Sequence, residues 1–157
     1  MISPSELMQL AIDKAKEGIA AGQSPFGCAI ALDGEVIAVS HNIVLQTTDV
    51  TAHAEVTALR VACQKVGEIL LPQAIVATTC EPCPMCAAAL HWARVAEVHY
   101  GATIDDAAET GFNELRVPAR SLYEQGGSST RLFSDVERAA CRELFELWKS
   151  GDAPIYY

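Results

Sequence analysis

Ala74-Ile75-Val76-Ala77-Thr78-Thr79-Cys80-Glu81-Pro82-Cys83-Pro84-Met85-Cys86 passes from an apolar run directly into a cysteine motif. The first six residues are too few for a core helix and nearly all apolar, which suits a strand buried on both faces. Pro84 favours a helix start, so a helix is predicted from near Pro84 to near Arg94. Cys83 and Cys86 then stand three apart at its N-terminus, with both sulfurs on one side, where free amides and the helix dipole favour thiolate.

Upstream, Ser3-Pro4-Ser5-Glu6 has capping-box spacing, and Leu7, Leu10, Ala11 and Ala15 share a face, predicting a first helix from Pro4 to Ala21. Asp33-Gly34 between Gly27–Leu32 and Glu35–Val39 reads as a tight hairpin turn. Ala52, Val56, Leu59, Cys63 and Val66 repeat at steps of four and three up to Gly67, a second helix with His53 and Glu55 in its first turns. Downstream, Val95–Tyr100 and Arg131–Phe133 read as strands. Ser134-Asp135-Val136-Glu137 reads as the cap of a closing helix with Val136, Ala140, Leu144, Leu147 and Trp148 inward. Strands alternating with helices predict an α/β layer sandwich, and no repeat or linker divides residues 1–157 into more than one domain.

His53, Cys83 and Cys86 are one imidazole and two thiolates, a Cys₂His set that leaves a fourth position open, as in catalytic rather than structural zinc. Glu55 is placed to approach that position without reaching the metal and to carry a proton from nucleophile to leaving group. A Cys-x-x-Cys redox pair, an iron–sulfur cluster and a satisfied core histidine each explain only part of the set. The cluster lacks a fourth cysteine at the right place, and the redox pair leaves His53 and Glu55 idle. Cys28, Cys63 and Cys141 lie in apolar contexts and read as small core residues.

A chain of 157 residues is long enough to bury a full core without disulfides. Its apolar runs fall far short of the roughly 18 to 20 residues that span a bilayer, and the first residues lack the pattern of a secretory signal. A reducing cytoplasm is the expected location. With 11 basic against 20 acidic residues and a net charge of −9, a polyanionic nucleic-acid substrate is disfavoured.

His-x-Glu followed by Pro-Cys-x-x-Cys is the signature of zinc deaminases of nucleobases. From about Ser24 to Gly111 the chain resembles the cytidine-deaminase-like superfamily, through Pro25-Phe26-Gly27, Asn42, Thr51–Val56 and Cys80–Cys86. Within it, Trp92-Ala93-Arg94, the segment Asp106–Glu114 and the Tyr156-Tyr157 terminus look most like the bacterial guanine deaminases. The resemblance implies a three-layer α/β/α sandwich with a mixed central sheet of about five strands, Zn²⁺ as cofactor, and hydrolytic deamination of guanine to xanthine and ammonia. It further implies a homodimer whose C-terminal segment completes the partner's active site.

The resemblance also implies that Glu114 contacts the purine and assists proton transfer, and that Asn42 hydrogen-bonds the substrate. A carboxylate only accepts, which suits the N1–H and amine of guanine. Asn113 departs from the acid usual at its position. Phe26 or Trp92, not both, is expected to stack on the base, and Tyr156 to close the pocket. Rival readings are deamination of cytosine, guanosine, another nucleoside or a guanine-like heterocycle such as ammeline; a tRNA adenosine deaminase; and a zinc-stabilised binding protein. The last leaves Glu55 without purpose.

Overall fold

The computed structural model describes residues 1–152 and 154–157. Helix α1 (Pro4–Ala20) opens with the predicted capping box: the Glu6 amide donates to Ser3 Oγ and the Ser3 amide to Glu6 Oε2. It buries Leu7, Met8, Ala11, Ile12 and Ala15, whereas Leu10, expected on that face, is exposed. Strands β1 (Gly27–Leu32) and β2 (Glu35–His41) form the hairpin, with Asp33 and Gly34 at φ 52° and 83°, the positive pair a type I′ turn needs. After a single turn α2 (Val44–Thr47) comes α3 (Ala54–Val66), which stops where Gly67 takes φ 79°. His53 is the N-cap of α3 rather than a residue of its first turn. The chain continues through β3 (Ile75–Cys80), α4 (Pro84–Trp92), β4 (Glu97–Ala102), α5 (Ile104–Thr110), α6 (Ala119–Gly126), β5 (Arg131–Phe133) and α7 (Arg138–Lys149).

The five strands make one mixed sheet in the order β2-β1-β3-β4-β5, antiparallel between β2, β1 and β3 and parallel between β3, β4 and β5. Ala29, Ala31 and Ala77 face α1 and α7, while Cys28, Ile30, Val76 and Val98 face α3 and α4, giving the three layers. The small residues on the first face let α1 lie close. A Cβ at Gly27 would run into the Ala11 carbonyl oxygen, so a larger residue there would push the helix off the sheet. The parallel strands β3 and β4 point their C-terminal ends toward the N-termini of α4 and α5, the end at which α/β sheets bind ligands.

Several expectations give way, most of them toward the C-terminal end. Helices α2, α5 and α6 were not anticipated; the first two are four and seven residues long, too short to show an apolar stripe. Helix α7 begins at Arg138 with Glu137 in the left-handed region at φ 50° and no side-chain cap; the Asp135 carboxylate pairs with Arg138 at 3.0 Å instead. Its buried stripe is Cys141, Leu144, Phe145 and Trp148, and Leu147 is exposed. No described helix is long and apolar enough to cross a membrane.

Candidate active site

Two helix N-caps bring the predicted ligands together. His53 caps α3 and Cys83 caps α4, neither using its side chain on its own helix, and Cys86 follows in the first turn of α4. The three ligand atoms lie within 4.8 Å of one another. His53 Nδ1 stands 3.6 Å from Cys83 Sγ and 3.5 Å from Cys86 Sγ. Tetrahedral zinc with Zn–S of about 2.3 Å and Zn–N of about 2.0–2.1 Å requires an N···S separation of about 3.6 Å, so the donors fit that ion. Among the described residues no fourth His, Cys, Asp or Glu joins the group.

The electrostatics favour a cation. Hydrogen bonding from Cys86 lowers the Cys83 thiol to about 4 against the opposing effect of burial, while that same bond and burial push Cys86 well up. Burial pulls the His53 imidazolium down, but the Cys83 hydrogen bond and the charge of Glu55 outweigh it and raise the group. A divalent ion bound there competes with protons for the same three closely spaced donor atoms.

Glu55, in the first turn of α3, is buried and outside the ligand group, as expected of an unligated carboxylate. Thr78 Oγ1 donates to its Oε1 at 2.9 Å, and burial followed by the Cys83 charge raises its pKa. Thr78 was read only as strand. Its signal was there, since a hydroxyl in a strand buried on both faces requires a partner.

His53, Glu55 and Cys83 open into a cleft of about 260 Å³ that Phe26, Asn42, Phe112 and Glu114 also line. Glu114 is pushed up to about 7, by burial first and then by the Cys83 charge. The buried Asn42 accepts the Val44 amide at 3.0 Å and donates through Nδ2 to the Tyr157 hydroxyl at 2.8 Å. Phe26 packs edge-on against Phe112 with ring centroids 5.1 Å apart. Of the two aromatics, Phe26 borders the cleft, whereas Trp92 is 71% exposed and does not line it. Tyr156 does not line the cleft either. It packs against Gly111 and Trp148, and its neighbour Tyr157 reaches in.

Residues 1–102 match the family described as the cytidine and deoxycytidylate deaminase zinc-binding region. The chain belongs to this family and is a zinc-dependent aminohydrolase. It is 48% identical over 144 residues to the guanine deaminase of Bacillus subtilis (strain 168), covering 91% of this chain and 92% of that protein. It is 42% identical over 102 residues to the tRNA-specific adenosine deaminase of Agrobacterium fabrum (strain C58 / ATCC 33970), covering 65% and 67%. Among solved structures it superposes on a guanine deaminase from Nitrosomonas europaea with a TM-score of 0.87 and 25% identity, covering 96% of this chain and 87% of that one. On the Bacillus subtilis guanine deaminase the TM-score is 0.69 at 46% identity, covering 72% and 73%.

Proposed function

We propose that the protein deaminates guanine hydrolytically, water and guanine giving xanthine and ammonia. The observation that carries this reading is one small cleft where the ligand trio surfaces through His53 and Cys83 beside two carboxylates of different surroundings, Glu55 and Glu114. Bound by His53, Cys83 and Cys86, zinc supplies the Lewis acidity that makes water a nucleophile near neutral pH. Glu55, buried and raised, takes a proton from water and delivers it to the ring nitrogen beside the amine-bearing carbon. It then takes the proton of the hydroxyl added at that carbon and gives it to the departing amine, the carbon keeping its oxygen as a carbonyl, while Thr78 holds the carboxylate in place. Glu114 accepts from N1–H and the exocyclic amine, and Asn42 presents an amide to the ring edge. Phe26 and Phe112 border the base with apolar surface and exclude water.

Three observations favour the free base. The cleft lies below the roughly 300–1,000 Å³ of drug-sized ligand sites, which suits a base better than a nucleoside. Similarity to the guanine deaminase covers 91% of the chain, whereas similarity to the Agrobacterium tRNA-specific enzyme covers 65%. The net charge of −9 opposes a tRNA substrate.

The enzyme works as a homodimer in which C-terminal segments cross to complete the partner's cleft. In the present chain Tyr157 enters its own cleft, so the exchange would replace that contact with the partner's equivalent. A cytoplasmic location agrees with six free cysteines. Ammonia release from guanine, guanosine, cytosine, cytidine, adenine and ammeline tests the substrate. Guanine is expected to turn over fastest, and no release from guanine beside release from another member would overturn the reading.

A further inference from the structure

Glu81 sits between Cys80 and Cys83 in the motif, buried at 8% exposure, and no ion pair to it occurs among the described residues. A buried carboxylate without a cation must be satisfied by hydrogen bonds. Here Oε2 accepts the Ile104 amide at 3.1 Å and Oε1 the Ala119 amide at 2.9 Å. Those amides open α5 and α6, the two helices flanking the segment that carries Phe112 and Glu114.

At its start that segment is also held by Phe112, buried against Phe26, Trp148 and Tyr157, and by the Asn113 amide donating to the Tyr157 carbonyl at 3.2 Å; from Glu114 to Pro118 the ties are fewer. Between Gly111 and Ala119 the backbone bonds include two short-range ones, Glu114 to Phe112 at 3.0 Å and Val117 to Leu115 at 2.8 Å, which leave the path of the loop free to vary. Leu115 is 71% exposed. Glu81 itself is fixed, because its amide donates to the Ala102 carbonyl at 2.8 Å and Cys80 ends β3. One short connection from β3 to α4 therefore supplies the ligand Cys83 and grips both ends of the base-reading loop.

We infer that Glu81 is a positioning residue. By accepting the Ile104 and Ala119 amides at once, it registers the Glu114 loop against the metal-binding segment, coupling substrate recognition to the chemistry. The role demands a carboxylate, since a glutamine side chain has one acceptor oxygen and would turn an amine toward the second N–H. The inference rests on Glu114 reading the base.

The test compares zinc-loaded parent, Glu81→Gln, Glu114→Gln and the double variant by ammonia release from guanine, with zinc content and hydrogen exchange of residues 104–119. Glu81→Gln should raise KM about tenfold, keep kcat within about threefold and keep its zinc, because a charge-assisted bond is lost away from the reacting atoms. Exchange should quicken at 112–119 and not in α3 or α4. In the Glu114→Gln background the same change should add less than about twofold, since the loop then lacks the carboxylate that Glu81 positions and Phe112 is held by its own packing. Ala119→Pro is the second variant, for the case in which Glu81→Gln does not fold. It deletes one of the two donors at the first residue of a helix, where proline is accepted after Pro118 at ψ 138°, and should raise KM about threefold. A parent-like KM and exchange in Glu81→Gln, a collapse of kcat as for a proton-transfer group, or full additivity in the double variant would overturn the inference. A parent-like KM in Glu114→Gln would instead sink the base-reading role, while quickened exchange in Glu81→Gln still shows the tether.

Discussion

The wall of the cleft that bears His53, Cys83 and Glu55, with Cys86 buried beside them, is built from two helix N-termini seated on a sheet, whereas a second wall is an irregular loop and the last residue of the chain. On the first wall the backbone fixes each side chain within a turn of a capped helix. On the second, Glu114 and Tyr157 owe their places to contacts between distant segments, such as the Asn113 amide donating to the Tyr157 carbonyl at 3.2 Å. On the proposed reading, the difference teaches that the fold makes its reaction with helix-borne residues and its choice of substrate with loop-borne ones. The two walls should therefore fail differently when altered.

The largest effect is expected on the helix-borne wall. Glu55→Gln should lower kcat by about 10³-fold with one zinc per chain retained. An active, zinc-loaded Glu55→Gln enzyme would remove the proton-transfer role. Glu114→Gln, on the loop-borne wall, should raise KM for guanine about tenfold with a smaller fall in kcat, and a larger loss in kcat than in KM would show that Glu114 acts in proton transfer too.

Glu114 also has a stability signature that separates the walls. Its pKa is raised from 4.5 to about 7, so the folded state disfavours its ionisation, and stability falls as pH rises through that window. In metal-free protein, Glu114→Gln should match the parent near pH 4 and exceed it by about 1 kcal/mol near pH 8 in denaturant unfolding. Equal stability at both would show that solvent already screens the group. The smallest effect belongs outside both walls: Trp92→Ser should leave kcat and KM within about twofold, since the ring is 71% exposed and clear of the cleft. A large rise in KM would mean that Trp92 meets the base from another subunit.

The legible features were local ones. The capping box of α1, the Asp33-Gly34 turn, the stop at Gly67 and the run of β3 into Cys83 each depend on neighbours in sequence, and each stands as read. Trp92, one of the two aromatics expected to stack, lies outside the cleft lining for a reason also written in the chain. A nine-residue helix is about 13 Å long, so a residue at its C-terminus points away from ligands at its N-terminus. Tyr157 and the two amide bonds of Glu81 had no such signal, because the residues they join are 115, 23 and 38 positions apart. Glu114 entered by resemblance alone.

X-ray absorption at the zinc edge of the purified enzyme, together with metal content, addresses the central claim most directly. One zinc per chain with two sulfur neighbours, one imidazole nitrogen and one lighter solvent atom is the predicted result. Absence of zinc, or a fourth protein ligand in place of solvent, would contradict it.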